Sequence, residues 1–304
     1  MNKWMMVEAS AAIGPELKQQ ADDTALMLQA GHVRKWSRPA QQALHVVNKC
    51  LQDVQGLESE RTGFVIGANH TTLTPILALD ADARQFGVQQ TNPGLFPETV
   101  LNAIGGHLAQ YFQFTGLNVT ISNGSNTGLA IVQYAMDVLA NQKLDHVIVV
   151  MFNQLPPAEL QPYLHPIEME QESVVALLMS RWNQDGSKPI ASEQSIASQP
   201  ISELYAVPDT CDLLHANELP WHLYELGRQY GRAVCCLANR EMATDCVSVS
   251  NHDGHTPDSR QRLENVSEIR RYELEPALGD SHLLIWVPLS GRSEEKEVQD
   301  EHRT

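Results

Sequence analysis

The sequence has no run of about 18 consecutive apolar residues, which a membrane-spanning helix would need. Residues 1–7 lack the long apolar core and cleavage site of a secretory leader, so we interpret them as a first strand. Zinc-ligand spacings, a P-loop and a GxGxxG turn are also absent from the sequence. We therefore expect a cytoplasmic protein that uses no cofactor and no metal.

Regularly spaced cysteines and basic residues are scarce. The sequence has five cysteines, an odd number without regular spacing, which does not suggest a disulfide framework. Cys235 and Cys236 lie in an apolar run that predicts a buried strand. The chain carries 37 acidic and 21 basic residues, a formal net charge of −16. Because phosphates and anionic lipids would repel such a surface, we expect neither a nucleic-acid partner nor a membrane partner.

Apolar patterning predicts an α/β fold, because continuous apolar strands alternate with amphipathic helices in the first 182 residues. The strands are predicted at residues 61–67, 119–121, 146–152 and 173–180. The helices are predicted at residues 39–54, 71–86, 98–113 and 125–141. Further along, we expect a helix at 221–230 and strands at 233–238, 246–249 and 283–287.

Composition divides the chain into four parts. Residues 1–182 form an N-terminal half, and residues 183–200, rich in Ser and Gln, are typical of a linker or loop. Residues 201–290 would form a smaller C-terminal half. Residues 291–304 are predicted to be an acidic, disordered tail.

Residues 116–128 form the most informative segment. They predict a short buried strand, a tight turn and a helix that begins near Ser125. Free N–H groups and the helix dipole favour negative charge at such a turn, and enzymes place nucleophiles there. Ser125, Asn126 and Thr127 occupy this turn, either as helix-capping residues or as a nucleophile site.

Several short motifs, in order, resemble the N-terminal half of β-ketoacyl synthases over roughly residues 30–182. The resemblance implies a thiolase-like, layered α-β-α-β-α fold. The C-terminal half would be shortened or rearranged, because residues 183–304 are too few to repeat the first half. The motifs are Arg-Lys-Trp-Ser-Arg at 34–38, Thr-Gly-Phe-Val-Ile-Gly at 62–67, Pro-Gly-Leu-Phe-Pro at 93–97, Gly-Gly-His at 105–107, Gly-Leu-Asn at 116–118 and Glu-Ser-Val-Val-Ala-Leu-Leu at 172–178.

The main departure from that family is at Ser125, which stands where a synthase carries its catalytic cysteine. A serine hydroxyl needs an adjacent base. The family supplies histidines from a His-Gly-Thr-x-Thr-Pro motif and an Asn-x-x-x-Gly-His motif, and we find no equivalent of the second. His252, in His-Asp-Gly-His-Thr-Pro at 252–257, is either a remnant of the first motif or part of a surface turn.

Synthase homologues without the cysteine resemble chain length factors. The resemblance implies a non-catalytic subunit, a pseudoenzyme in a heterodimer with an active ketosynthase. It would shape the acyl pocket during polyketide, aryl-polyene or fatty-acid-type elongation, and an acyl carrier protein would be reached through the complex. Leu95 and Phe96 would line the partner's acyl pocket, or be ordinary core residues. Val119, Thr120 and Ile121 would pair across the interface, and the walls near Ser125 would complete the pocket.

Two other functions stay open. Ser125 could be the nucleophile of an acyltransferase, with His252 as its base and the helix N-terminus stabilising an oxyanion. Alternatively, the chain could be a stand-alone scaffold that binds carrier proteins.

Overall fold

The computed structural model describes residues 4–14, 33–164, 172–181, 212–230, 233–239, 270–275 and 282–288. Its α-helices are α1 (Arg38–Leu51), α2 (Leu73–Phe86), α3 (Ala103–Phe112), α4 (Thr127–Ala140) and α5 (Leu219–Tyr230). Its strands are β1 (Trp4–Ile13), β2 (Thr62–Ala68), β3 (Asn118–Ile121), β4 (His146–Asn153), β5 (Ser173–Arg181), β6 (Asp212–His215), β7 (Ala233–Asn239), β8 (Arg270–Glu275) and β9 (His282–Pro288).

One mixed sheet contains all nine strands, in the order β3-β2-β4-β5-β1-β7-β9-β8-β6. The first three strands are parallel, so their carboxyl ends meet at one edge of the sheet. Strand β5 runs antiparallel to both β4 and β1. The predicted α/β class is therefore confirmed, and the residues that follow β2, β3 and β4 lie near one another.

Helices cover both faces of the sheet. Phe64 and Ile66 point to the face packed by α1 and α3, and Val65 points to the face packed by α4 and α5. Strands β4 and β5 alternate in the same way and are buried over nearly their whole length. Because both faces are covered, the sequences of these strands are continuously apolar and do not alternate between apolar and polar residues.

The sheet curls at its C-terminal side. Six strand spacings separate β4 from β6 in the strand order, or roughly 29 Å in a flat sheet at about 4.8 Å per strand. However, Asn217, two residues after β6, lies 3.2 Å from the backbone nitrogen of Gly128 in α4, which packs over β2 and β4. The far side of the sheet therefore turns back toward the layer that contains α4 and α5.

Most predicted elements are present, but three predictions need correction. The helix predicted at 98–113 is a 3₁₀ segment, Pro93–Thr99, followed by α3, because Val100 is extended (φ −94°, ψ 139°) and interrupts it. The strand at 119–121 is half-buried rather than buried, because β3 is the last strand on its side of the sheet among the described residues. The helix predicted from Ser125 begins at Thr127.

Other predictions lie partly outside the described residues. The strand predicted at 246–249, the linker at 183–200, the acidic tail at 291–304 and His252 all fall there. The sequence patterns also missed two strands, β6 and β8. Within the described part of the chain, no helix is both long enough and apolar enough to cross a bilayer.

Candidate functional site at the N-terminus of α4

The elbow between β3 and α4 is a short irregular turn. Gly124 has a left-handed backbone (φ +53°), which glycine adopts at little cost. Residues Gly124–Asn126 form a 3₁₀ turn, and α4 starts at the next residue. Ser125 therefore lies two residues before the α-helix and is half-buried at its N-terminal end.

The fully buried Thr127 holds this turn together. Its hydroxyl oxygen accepts a hydrogen bond from the backbone nitrogen of Asn123 at 2.8 Å. Its proton can be donated to Oδ1 of Asn69 or to the carbonyl of Gly124, each 2.8 Å away. Asn69 also donates to that Gly124 carbonyl at 3.1 Å. The end of β2 therefore fixes the turn after β3.

Ser125 has no base beside it among the described residues. Its hydroxyl makes no hydrogen bond in the part of the chain that the structure describes, and His252 lies outside that part. Asn126, which begins α4, does not cap the helix with its side chain. Within the described part of the chain, the elbow thus presents a serine without the proton acceptor that a serine nucleophile needs.

The described free cysteine does not replace the missing nucleophile. Cys50 lies on α1, and burial raises the pKa of its thiol to about 12, although a backbone hydrogen bond at Leu178 partly opposes this. A thiol with such a pKa stays protonated and unreactive near neutral pH.

The strand that leads to Ser125 pairs on one side only among the described residues. β3 is bonded in parallel to β2, with Val119 opposite Val65 and Ile121 opposite Gly67. Its other edge has no neighbour in the described strand order. Val119, Thr120 and Ile121 are each half-buried. Such an edge presents backbone N–H and C=O groups that a further strand can pair with.

Leu95 and Phe96 lie on the 3₁₀ segment Pro93–Thr99, and they face different surroundings. Leu95 is half-buried and lines a cavity of about 580 Å³ in this same chain, between the start of α1 and the ends of β1 and β4. Phe96 is 63% exposed. Phe96 is therefore not a core residue, whereas Leu95 contributes to a pocket wall together with Trp36, Pro39, Pro75 and Leu155. Ser125 does not line this cavity.

A buried carboxylate, Glu98, is hydrogen-bonded to a histidine beside that cavity. Oε1 of Glu98 is 2.7 Å from Nε2 of His107, and Oε2 accepts a hydrogen bond from the backbone nitrogen of Ser37 at 3.1 Å. Trp36 stacks on the His107 ring with centroids 4.5 Å apart. Burial opposes ionisation of Glu98, but the bonds from Ser37 and His107 outweigh it and lower the pKa of the carboxyl group. His107 thus packs against Trp36 and also holds this carboxylate.

The lowered pKa of Glu98 predicts an acid-dependent loss of stability. A carboxyl group whose pKa is lower in the folded state stabilises the protein at pH values above its unfolded-state pKa of about 4.3. This contribution is lost as the pH falls through the folded-state pKa of Glu98. We expect the free energy of unfolding to decline below about pH 4, and Glu98→Gln to make that decline shallower. Chemical denaturation of the wild type and of Glu98→Gln, from about pH 2.5 to about pH 7, would measure the decline and its change. This range spans roughly the titration of carboxyl groups.

Asp145 gives the matched control for that experiment. Its pKa is also lowered, chiefly by a hydrogen bond from Arg61, but the side chain is 40% exposed. Asp145→Asn should change the acid-side slope less than Glu98→Gln does, because water screens an exposed pair. An acid-side slope that Glu98→Gln leaves at the wild-type value would contradict the assignment.

Sequence reasoning missed the turn Ala216–Glu218, which contacts the elbow. Asn217 and Glu218 are 1% and 2% exposed, and Asn217 bonds to the first turn of α4. One sequence feature could have drawn attention to this turn. His215 precedes Pro220 by five residues, and the same spacing separates the histidine from the proline in the family's first histidine motif and His252 from Pro257. This segment shares only that spacing with the motif, and the structure places it at the end of β6 and the start of α5. Among the described residues, no three acidic, histidine or cysteine side chains come together to hold a metal ion.

Comparisons with known proteins agree with this architecture. A solved structure of the ishigamide ketosynthase/chain length factor is similar over 94% of this chain and 99% of that chain, with a TM-score of 0.59 and 13% identity. A β-ketoacyl synthase from Burkholderia phymatum STM815 is similar over 95% of this chain and 100% of that chain, with a TM-score of 0.54 and 10% identity. At such identities the similarity shows the fold, which is a thiolase-like layered α/β fold.

Three further findings complete the comparison. A ketosynthase complex with a type II PKS acyl-carrier protein, AntDE:AntF, matches 60% of this chain at a TM-score of 0.49 and 16% identity, and the chain spans 64% of that neighbour's length. This last similarity is too weak to carry an argument. No curated protein matches the sequence. The model of the family described as "Beta-ketoacyl synthase, N-terminal domain" matches residues 8–159, which is half of the chain. The chain therefore belongs to the β-ketoacyl synthase family through its N-terminal domain.

Proposed function

We propose that this chain is a non-catalytic, chain-length-factor-like subunit that pairs with an active ketosynthase. The observation that carries the proposal is that Ser125 lies at the N-terminal end of α4 and has no hydrogen-bonded base among the described residues. By the sequence resemblance, Ser125 would occupy the position of the family's cysteine. Decarboxylative condensation on carrier-bound thioesters would then occur in the partner. A cytoplasmic location stays a prediction.

The open edge of β3 supports the pairing. Three half-buried residues, Val119, Thr120 and Ile121, would become buried when a strand of the ketosynthase extends the sheet past β3. An unpaired strand edge is otherwise an aggregation hazard, so a partner that covers it would also protect the chain.

The exposed aromatic Phe96 supports a role in shaping the partner's pocket. It is 63% exposed, and Val100, four residues further on, is 43% exposed. Exposed apolar side chains that cluster on a surface mark sites of contact with another molecule, and the sequence resemblance assigns this loop to the partner's acyl pocket. Phe96 would form part of the acyl-pocket wall in the ketosynthase. Leu95, which lines the cavity of its own chain, would support it from behind.

The structural neighbours support a ketosynthase-like role, since the ishigamide ketosynthase/chain length factor and the Burkholderia β-ketoacyl synthase both match over nearly their full lengths. The product could be a polyketide, an aryl polyene or a fatty-acid-type chain, and any carrier protein would be met through the ketosynthase.

An acyltransferase that uses Ser125 is the second candidate function. The observation in its favour is the position of Ser125 before α4, where the helix dipole and free N–H groups stabilise negative charge. His252 would have to act as its base.

Co-expression with a ketosynthase from the same genome, followed by native mass spectrometry, tests the proposal. We expect a 1:1 complex in which the ketosynthase is active, and we expect Ser125→Ala to leave turnover and product length unchanged. A homodimer that becomes acylated on Ser125 would instead establish the acyltransferase. A monomer or homodimer that binds a carrier protein and no ketosynthase would establish the scaffold alternative.

A further inference from the structure

Helix α4 lacks a cap from its own N-terminal residues. Asn126 precedes the helix with φ −103° and ψ 6°, and its side chain makes no capping hydrogen bond. The first turn carries no acidic residue. The hydroxyl of Thr127 is already used within the turn, where it contacts Asn123, Gly124 and Asn69. The first N–H groups of this helix therefore need an acceptor from elsewhere.

Asn217 supplies that acceptor from 89 positions further along the chain. Its Oδ1 accepts a hydrogen bond from the backbone nitrogen of Gly128 at 3.2 Å, and its Nδ2 donates to Oδ1 of Asn153 at 3.2 Å. Both asparagines are 1% exposed, and Gly128 is buried. The bond therefore joins the C-terminal half directly to the helix that follows the Ser125 elbow.

The donor and acceptor roles of the contacting atoms fix the orientation of the side-chain amides of Asn217 and Asn153. A backbone N–H can only donate, so the atom of Asn217 that faces Gly128 must be its oxygen. The amide nitrogen of Asn217 then faces Asn153, which must present its own oxygen. Among the described residues, Nδ2 of Asn153 has no hydrogen-bond partner, and neither has the hydroxyl of Ser173, the cross-strand neighbour of Asn153.

We propose that Asn217 is a positioning residue, which caps α4 from the C-terminal half and so holds the Ser125 elbow in place. The elbow then takes its described geometry only when the turn Ala216–Glu218 and α5 are docked. This inference does not depend on whether Ser125 reacts or whether the chain pairs with a ketosynthase. It makes the shortened C-terminal half a requirement for the local order of the N-terminal half.

Hydrogen exchange read by mass spectrometry tests the cap. In Asn217→Ala, the peptides that cover residues 124–132 should exchange about tenfold faster, while those of α1 keep the wild-type rate. Asn217→Asp should restore most of the protection, because a carboxylate accepts from Gly128 and the amide of Asn153 can flip to donate to it. The matched control is Asn102→Ala, since Asn102 also precedes a helix but makes no side-chain cap bond.

A second readout separates positioning from a general loss of stability. In a Ser125→Cys background, the helix N-terminus should lower the pKa of the introduced thiol, as measured by its alkylation rate against pH. Adding Asn217→Ala should raise that pKa and slow alkylation at neutral pH, and adding Asn102→Ala should not.

Two results would overturn the proposal. One is unchanged exchange of residues 124–132 in Asn217→Ala together with an unchanged thiol pKa. The other is an equal acceleration of exchange in α1 and α4, which would indicate global rather than local loosening. If Asn217→Ala does not fold, Asn153→Ala is measured instead. That variant should accelerate exchange of the same peptides by a smaller factor, and no acceleration there would equally reject the role of Asn217.

Discussion

Val119→Lys is expected to abolish the complex with a ketosynthase while leaving the chain folded. Val119 is half-buried in the edge strand β3 and belongs to neither of the two hydrophobic clusters, so the monomer does not need its side chain. In the proposed complex, a partner strand would pack beside it and bury the lysine charge. Natural proteins use lysines on edge strands to prevent such pairing.

The expected loss of affinity is large. Burying a charge without a partner costs about 3 kcal/mol or more, which corresponds to a dissociation constant raised roughly a hundredfold. Native mass spectrometry and analytical ultracentrifugation of the co-expressed pair would measure this change. Thermal unfolding of the isolated variant would confirm that the fold is retained.

The matched control for that variant is Val88→Lys. Val88 is 79% exposed and lies in a 3₁₀ turn after α2, away from β3, so the same change of side chain should leave both the complex and the fold intact. A Val119→Lys variant that still forms the 1:1 complex with wild-type affinity would show that β3 is not the interface. Binding lost equally in both variants would point to a general effect of added charge.

Gly116→Ala is expected to destabilise the whole N-terminal half. A β-carbon at Gly116 would lie too close to the carbonyl oxygen of Thr62 and only 2.9 Å from its carbonyl carbon. Thr62 is fully buried at the start of β2, so this neighbour is backbone that cannot rotate away. Gly63 shows the reciprocal contact, since its β-carbon would lie 2.5 Å from the carbonyl oxygen of Leu117.

The two backbones approach because they are bonded to each other. The backbone nitrogen of Phe64 donates to the carbonyl of Leu117 at 2.7 Å, so separating the segments would also break sheet pairing. We expect Gly116→Ala to lower the free energy of unfolding by about 3 kcal/mol. Urea denaturation followed by circular dichroism would measure the change in the transition midpoint.

Gly106→Ala provides the contrast in the same protein. Gly106 lies in α3, and a β-carbon there would meet nothing within 4 Å. Since alanine favours a helix over glycine by about 1 kcal/mol, this variant should be neutral or more stable than wild type. Equal stability of the two alanine variants would mean that β2 and the segment before β3 can move apart without cost.

Local patterns predicted the elements that depend on their own side chains. The apolar runs of β4 and β5 are buried on both faces, and the apolar stripe of α1 packs against the sheet. The helix predicted at 98–113 was wrong because two distant groups hold Glu98 in a 3₁₀ segment. These are the backbone nitrogen of Ser37 and, at nine residues' separation, the ring of His107. Strand β6 has only four residues, which is too short for a periodic signal. Strand β8 alternates between polar and apolar residues over 271–275, but four of its six residues are charged, and the sequence prediction missed it.

The candidate site divides in the same way. The spacing from Gly116 placed Ser125 at the elbow, and the glycine in the turn was visible in the sequence. The residues that surround the elbow could not be predicted from the sequence. The sequence suggested His252 as a base, and that residue lies outside the described part of the chain. The structure adds the turn Ala216–Glu218, which lies beside α4 through a bond that spans 89 positions.

Periodicity, apolar runs and motif spacing were enough to establish the α/β class, the family of the N-terminal half and the position of Ser125. They act over a few residues, where the backbone geometry of one helix or strand decides the pattern. Tertiary packing decided that β3 is an edge strand, that Leu95 faces a cavity while Phe96 faces outward, and that Asn217 caps α4. These features arise from contacts between segments far apart in the chain, and no local period encodes which segments will meet.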